Sequence, residues 1–328
     1  MKKSRRIPAL DFTKGALVLV MVLYHWMNYF VSADGSVYRY LRFLTPSFIF
    51  ITGFLISSAY LRKYKTSDAR VPGRLLVRGI KLLLIVLCLN VGQGMAHMKG
   101  LNNRGGEGTL RDTVVASHTG KVPVAFSVLV PIAYLLILSS GLLAVSRWYK
   151  GIFHVSCGLL VAGAFYSDLI GDQNTYLQLV SIGMIGISVG YVSIDRINRL
   201  VKHAFPICLM YLAYVAAITR WNVIYPLQIV GVCLSLAAIY RIGLSYSETG
   251  RLGNMTVLLG QYSLFAYIAQ IVILQGLHRS WLAQGAGMVG PGLAFVLAAA
   301  CTVLSVLVLD RARVRIEGVN RIYAAVFS

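Results

Sequence analysis

The first apolar segment of the chain contains three ionisable side chains that could do chemistry: Asp11, Lys14 and His25. An ionisable group within an apolar segment is costly unless it faces a cavity or a partner, so each is a candidate site residue. On a helix, Lys14 and His25 are about three turns plus 20° apart, which places them on one face, about 16 Å apart along the axis. Asp11 and Asn28 lie three residues outside this pair and fall near the same stripe.

Periodicity alone leaves several interpretations of these residues open. Lys14 could extend to the lipid headgroups, and His25 could be a hydrogen-bonded packing residue. A histidine titrates near neutrality, so His25 could equally act as a general base. Asp11 could pair with Lys14 or favour the start of the helix through its negative charge, and of these two we favour the capping role.

The composition of the chain is far more apolar than that of a soluble protein. Of its 328 residues, 57% are hydrophobic and 13% are charged, and the mean hydropathy is +0.71. Soluble domains have about 45–50% apolar and about 25% charged residues, so a soluble enzyme is excluded. A chain this apolar is also not disordered. We therefore predict an all-α, polytopic protein that lies in the lipid bilayer.

Apolar segments of about 17–25 residues are long enough to cross a bilayer. With the N-terminus inside, 23 of the 31 Lys and Arg fall on the cytoplasmic side, so both termini are predicted to be cytoplasmic. The net charge of +20 then reflects topology, and no nucleic acid partner is expected. The ten predicted spans are about 10–31, 43–61, 79–97, 122–145, 151–170, 176–194, 204–219, 223–243, 256–276 and 289–309.

Other patterns in the spans indicate packing. Gly186 and Gly190 form a GxxxG pair, which is typical of close helix contact. The five cysteines lie in apolar segments without CxxC spacing, so we expect neither disulfides nor zinc. No pair of histidines has the spacing and carboxylate company of a metal site, and no metal is predicted.

Three segments resemble the acyltransferase-3 superfamily of membrane acyltransferases. The opening Leu10–Gly15 followed by His25 is similar to the basic residue, ten residues and histidine of that family, with Lys14 where arginine is commoner. The stretch 47–56 is similar to its aromatic-rich segment, with Thr52 and Gly53 at the Ser-Gly position. The stretch 259–267 resembles its late Leu-Gly-x-x-Ser-Leu-x-x-Tyr segment, in which Ser263 and Tyr267 match.

The resemblance implies one integral membrane acyltransferase domain over residues 1–328. Such a protein transfers an acyl group, typically acetyl, from cytoplasmic acyl-CoA to a hydroxyl or amine of a carbohydrate or lipid-linked acceptor on the far side. Acyl-CoA is a substrate, and no permanently bound cofactor is expected. The opening and the second segment also resemble the heparan-alpha-glucosaminide N-acetyltransferase type and the glucan-succinylating type, between which the sequence does not choose.

The resemblance also implies roles for single residues. His25 would be the general base or would itself carry the acyl group, and Lys14 would act with it and contact the donor at the cytoplasmic mouth. Arg74 and Arg78 lie one helical turn apart in a basic segment and could bind the donor phosphates. The remaining candidates are acceptor contacts at Asn28, His97 and Gln270, the last at a position where many members have histidine, and supporting residues at Asp11, Gly53, Ser263 and Tyr267.

Two other classes of protein compete with this hypothesis. A non-catalytic permease or flippase for a lipid-linked saccharide would use His25 for proton relay or substrate contact. The chain shows no internal repeat of the kind found in many transporters. A structural membrane subunit is the third class. We expect the plasma membrane of a bacterium, and the sequence leaves the acceptor, the acyl chain and the oligomeric state open.

Overall fold

The computed structural model describes residues 7–31, 35–61, 70–100, 126, 128–146, 148–149, 151–171, 174–221, 223–246, 250–283 and 290–327. All the regular secondary structure in these ranges is helical. The all-α prediction is therefore confirmed. Within these ranges, the side chains of residues 35–36, 59–61, 70, 91–100 and 280–283 lie outside the described part. The chain forms two compact units, one of residues 1–48 and 194–328 and the other of residues 49–193.

The first unit contains the apolar segment that carries Asp11, Lys14 and His25. Its helices are α1 (Pro8–Trp26, continued by a π-helical segment Met27–Val31), α2 (Gly35–Tyr38, continued by a 3₁₀ turn Arg39–Leu41), the start of α3 (Leu44–Leu55), α8 (Ile194–Leu200), α9 (Ala204–Arg220), α10 (Tyr225–Tyr246), α11 (Gly250–Gln261), α12 (Ser263–Ala283), α13 (Pro291–Arg315) and α14 (Glu317–Phe327). Pro8 and Pro291 begin their helices at the position where a missing N–H costs nothing.

Helix α1 is the central helix of this unit, because α10, α11, α12 and α13 all pack against it. Two apolar clusters hold it in place. One surrounds Val18 and includes Leu259 and Val306. The other surrounds Val22 and includes Leu274 and Ala298. The residues of α1 that could do chemistry are thus held on a helix that is packed along its length.

The second unit contains the rest of α3 with its π-helical end Ile56–Leu61, α4 (Arg70–Gly100), α5 (Leu129–Val145), α6 (Ile152–Leu169) and α7 (Thr175–Gly190). Helix α4 packs on α5, and α6 packs on α7. Asn174 caps α7 by accepting a hydrogen bond from the Leu177 amide at 3.1 Å. The GxxxG prediction is confirmed: a Cβ at Gly186 or Gly190 would meet the main-chain oxygen of Phe50 or Phe54 on α3. Gly53 makes the matching contact from α3, with the carbonyl of Gly183.

The predicted spans map onto these helices. In the described ranges, five helices are long and apolar enough to cross a membrane: Pro8–Val31, Arg39–Ser58, Ile152–Leu169, Tyr225–Tyr246 and Pro291–Arg315. Two pairs of helices qualify only when taken together, α7 with α8 and α11 with α12, and the second pair is bent by 92°. Helices α5 and α9 are shorter and apolar, and α4 encloses the third predicted span. The polytopic membrane class is confirmed, and the ninth predicted span is refined to two helices that meet at Tyr262.

Candidate functional site

The inner part of the candidate site is an ion pair on the first turns of α1. The ammonium of Lys14 lies 2.6 Å from a carboxylate oxygen of Asp11, and the two side chains are 17% and 11% exposed. The pairing with Lys14 is therefore observed, and Asp11 also lies in the first turn of α1, where its negative charge is favourable. The N-cap residue is Ile7, which has no side-chain cap bond, and the carboxylate of Asp11 pairs with Lys14. Partial burial favours this pairing, since each charge would otherwise lie in an apolar segment without compensation.

A backbone contact with α11 fixes the position of this ion pair. Gly260 lies against the main-chain carbonyl of Asp11, and Gly15 lies against that of Thr256. A Cβ at either glycine would occupy the space of the opposite backbone, so the two helices touch only because both residues lack one. Gly260 belongs to the segment that resembles the acyltransferase family, and this close crossing is its structural role.

His25 lies on the same helix, among tyrosines. Its ring is 5.3 Å from the ring of Tyr24, edge to face, and 6.3 Å from the ring of Tyr267 on α12. The residue as a whole is half-buried. Its Nε2 atom is buried and has no hydrogen-bond partner among the residues that the structure describes. A buried nitrogen of this kind can bind a polar group of a ligand, and such a bond is favourable because an unmade hydrogen bond of a buried group costs free energy.

Gln270 is, after His25, the second predicted site residue in this unit whose buried polar atoms have no hydrogen-bond partner among the described residues. It is one helical turn beyond Tyr267 on α12, and its side chain is 0% exposed. Neither its amide nitrogen nor its amide oxygen has a hydrogen-bond partner within the described ranges. A buried primary amide that satisfies none of its hydrogen bonds is rare in proteins and calls for an explanation. A bound polar molecule would supply one.

Beyond His25, α1 and α12 continue side by side in the same direction. Tyr29 accepts a hydrogen bond of 3.0 Å from the Nε2 of Gln275. The ring of His278 lies 5.6 Å from that of Tyr29 and 5.5 Å from that of Phe30. We call Tyr29, Gln275 and His278 the outer cluster. This cluster was not predicted from the sequence, although the spacing of three residues between Gln275 and His278 on α12 is a signal of one shared helix face.

The other predicted site residues are distributed as follows. Ser263 is the first residue of α12, directly after the break, and Asn28 is exposed at the end of α1. Arg74 and Arg78 lie on exposed positions of α4, in the second unit. The side chain of His97 lies outside the described residues. The structure thus pairs Asp11 with Lys14 and places His25 beside Tyr267, with Gln270 one turn further along α12, all in the first unit. The roles of all the predicted site residues stay predictions.

No cluster of three or more histidine, cysteine, aspartate or glutamate side chains that could hold a metal ion occurs in the described ranges. The site groups that the structure describes are an imidazole, an ammonium and carboxylate pair, a phenol and an amide.

Comparison with known proteins gives one result. A family model described as an acyltransferase domain, acyltransferase-3, matches residues 7–311. This match extends into both units and contains every candidate residue above. Among curated proteins and among solved structures, no significant match to the chain was found.

Proposed function

Since the chain belongs to the acyltransferase-3 family, we propose that it moves an acyl group, acetyl by preference, from cytoplasmic acyl-CoA to an acceptor on the other side of the membrane. The acceptor is a hydroxyl or amine of a saccharide or of a lipid-linked saccharide. The observation that carries this proposal is the buried, unpaired Nε2 of His25 in the centre of the first unit. It is a basic atom in a dry environment, and a transfer reaction needs one to accept a proton or an acyl group.

The donor is proposed to enter at the end of α1 that carries Lys14. Coenzyme A is a polyanion with a long flexible arm, so its phosphates need a cation at the membrane boundary while its thioester reaches inward. The ammonium of Lys14 can supply that charge, and Asp11 holds it in place at 2.6 Å. The separation of about 16 Å along α1 between Lys14 and His25 suits a ligand of this shape.

Two reaction sequences use the same atom of His25. In the first, Nε2 takes the proton of the acceptor hydroxyl as its oxygen attacks the thioester carbonyl. The C–S bond then breaks, the proton passes to the departing thiolate, and an ester and free coenzyme A result. In the second, Nε2 attacks the carbonyl itself and the C–S bond breaks. The acceptor oxygen then displaces the imidazole from the acyl group, and the proton of the acceptor passes to the thiolate. Both require that Nε2 has no competing partner.

Gln270 is proposed to contact the reacting carbonyl. In either sequence the carbonyl oxygen gains negative charge, and an N–H group held in a dry site stabilises such charge strongly. The amide of Gln270 has donors with no described partner and is fully buried. Tyr267, one helical turn before Gln270 on α12 and with its ring 6.3 Å from that of His25, would keep the imidazole in its orientation.

The outer cluster is proposed as the acceptor contact, together with Asn28. Aromatic rings stack on the apolar faces of sugar rings, while phenol, amide and imidazole groups bind hydroxyls. Tyr29 accepts from Gln275 and retains its own hydroxyl proton for a further bond. In the predicted topology this cluster is at the extracytoplasmic end of α1, and the membrane would be the inner membrane of a bacterium.

The donor half of the proposal is tested by binding. Purified protein in lipid nanodiscs is titrated with radiolabelled acetyl-CoA, and excess unlabelled coenzyme A is the competitor. We expect saturable binding that the competitor displaces. If neither acetyl-CoA nor longer acyl-CoAs bind in this way, the acyltransferase function loses its donor, and a permease for a lipid-linked saccharide becomes the better account.

A further inference from the structure

The break between α11 and α12 is held by a buried tyrosine. Tyr262 lies at the 92° bend and is 6% exposed. Its hydroxyl donates a hydrogen bond of 2.6 Å to the carboxylate of Asp310 on α13. The same hydroxyl accepts one of 3.0 Å from the guanidinium of Arg313. A phenol between a carboxylate and a guanidinium makes charge-assisted hydrogen bonds, which are about twice as strong as neutral ones.

Arg313 connects this tyrosine to the C-terminal helix α14. Its Nε and Nη2 atoms donate to the side-chain oxygen of Asn320, at 3.1 and 2.9 Å. Its guanidinium also lies 4.0 Å from the centre of the Tyr323 ring. Phe327 stacks on Tyr323 at 4.9 Å. We call Tyr262, Asp310, Arg313 and Asn320 the Tyr262 network.

Tyr262 lies in the sequence between two residues that contact the candidate catalytic helix α1. Two residues before it, Gly260 lies against Asp11 at the ion pair of Lys14. Five residues after it, Tyr267 lies against the ring of His25. The bend at Tyr262 therefore lies between two of the contacts that α11 and α12 make with the candidate catalytic helix, one at each functional end.

We infer that Tyr262 and Arg313 are positioning residues, through which the C-terminal helix α14 holds Lys14 and His25 in their working geometry. The inference rests on the proposed function for what that geometry does. Neither residue is proposed to touch the substrate. When the network is broken, the bend can relax, and the inner contact at Gly260 and the contact at Tyr267 shift relative to each other.

A purely structural network would behave differently. It would lower the amount of folded protein or its melting temperature, and the molecules that remain folded would turn over normally. A positioning network lowers turnover in protein that is still folded, because small displacements of reacting groups are expensive in rate.

The test uses single-atom and single-group changes in the full chain. Tyr262→Phe removes the hydroxyl but keeps the ring between its neighbours, and Asn320→Ala removes the acceptor for Arg313. Asn320→Asp keeps an acceptor at that place. Glu317→Gln is the matched control, because Glu317 forms an exposed ion pair with Arg321 on the same helix, outside the network.

Two measurements are made on each variant in nanodiscs: hydrogen exchange of the α14 amides, and the kcat and KM of acetyl-CoA thioester cleavage. We expect Tyr262→Phe and Asn320→Ala to speed exchange in α14 and to lower kcat/KM about 10-fold or more. Asn320→Asp should restore most of both, and Glu317→Gln should behave as wild type. Faster exchange with unchanged kcat and KM would overturn the inference. Cleavage that also survives in His25→Ala would instead overturn the proposed function.

Discussion

Gly260 lies directly against the main-chain carbonyl of Asp11, the residue whose carboxylate holds the ammonium of Lys14. This contact joins two segments that are almost 250 residues apart in the sequence, and both resemble the acyltransferase family. It gives the late glycine a physical reason, since no larger residue fits between the two backbones. The donor end of the proposed site is therefore a product of helix crossing as much as of charge.

Alanine at Gly260 is expected to be destabilising. Its Cβ would overlap the carbonyl of Asp11, so α1 and α11 would have to separate, at a cost of about 1–3 kcal/mol for overpacking. Thermal unfolding in nanodiscs should show a lower melting temperature for Gly260→Ala. Gly276→Ala on α12 is the control, because a Cβ there has no atom within 4 Å. Equal melting temperatures for the two variants would show that the crossing is looser than described.

Leucine at Gln270 is expected to separate stability from activity. The amide of Gln270 is buried and unpaired in the described structure, so an apolar residue of similar size removes a desolvation cost. We expect the melting temperature of Gln270→Leu to stay level or rise, while thioester cleavage falls about 100-fold through the loss of a donor to the carbonyl oxygen. Gln228→Leu on α10 controls for the chemical change. A loss of stability with normal turnover would make Gln270 a packing residue.

The Lys14 pair predicts a dependence of donor binding on positive charge. Lys14→Arg should bind acetyl-CoA nearly as well as wild type, whereas Lys14→Ala should bind it about 10-fold more weakly. Because Lys14→Ala also strands a partly buried carboxylate, the double variant Asp11→Asn with Lys14→Met is the stringent form of the test. It should recover folding but not binding. Normal binding by the double variant would remove Lys14 from the donor site.

If the outer cluster contacts the acceptor, its variants should weaken acceptor binding and leave the reaction with the donor unchanged. Methyl hexosides added at millimolar concentration should stimulate acetyl-CoA cleavage by the wild type. Tyr29→Phe and Gln275→Leu should raise the hexoside concentration that gives half-maximal stimulation about 10-fold, because each removes a polar contact. Tyr166→Phe, at a position exposed on α6, is the control.

Two outcomes would contradict this assignment. If basal cleavage falls as much as the stimulated rate in the Tyr29 and Gln275 variants, the cluster supports the donor reaction instead. If no hexoside stimulates the wild type, the saccharide class of acceptor is wrong.

Much of the site could be predicted because it depends on the helical periodicity of single segments. Lys14 and His25 share a face through helical geometry alone, and the apolar segments predict where helices lie. Whether Asp11 pairs with Lys14 could not be decided from the sequence, since an ion pair and a favourable charge at the helix start use the same residue at the same helix end. The break at Tyr262 and the outer cluster depend on packing between α1, α11, α12 and α13. This packing cannot be inferred from the sequence of any single segment.

The central claim is that His25 supplies the reacting nitrogen. Acetyl-CoA binding and thioester cleavage are measured in nanodiscs for wild type and His25→Ala, with His154→Ala on an exposed position of α6 as control. We predict that His25→Ala binds acetyl-CoA within a few fold of wild type but cleaves it at least about 100-fold more slowly, in line with the loss of a general base. His154→Ala should cleave normally. Full cleavage by His25→Ala, with binding intact, would contradict both reaction sequences.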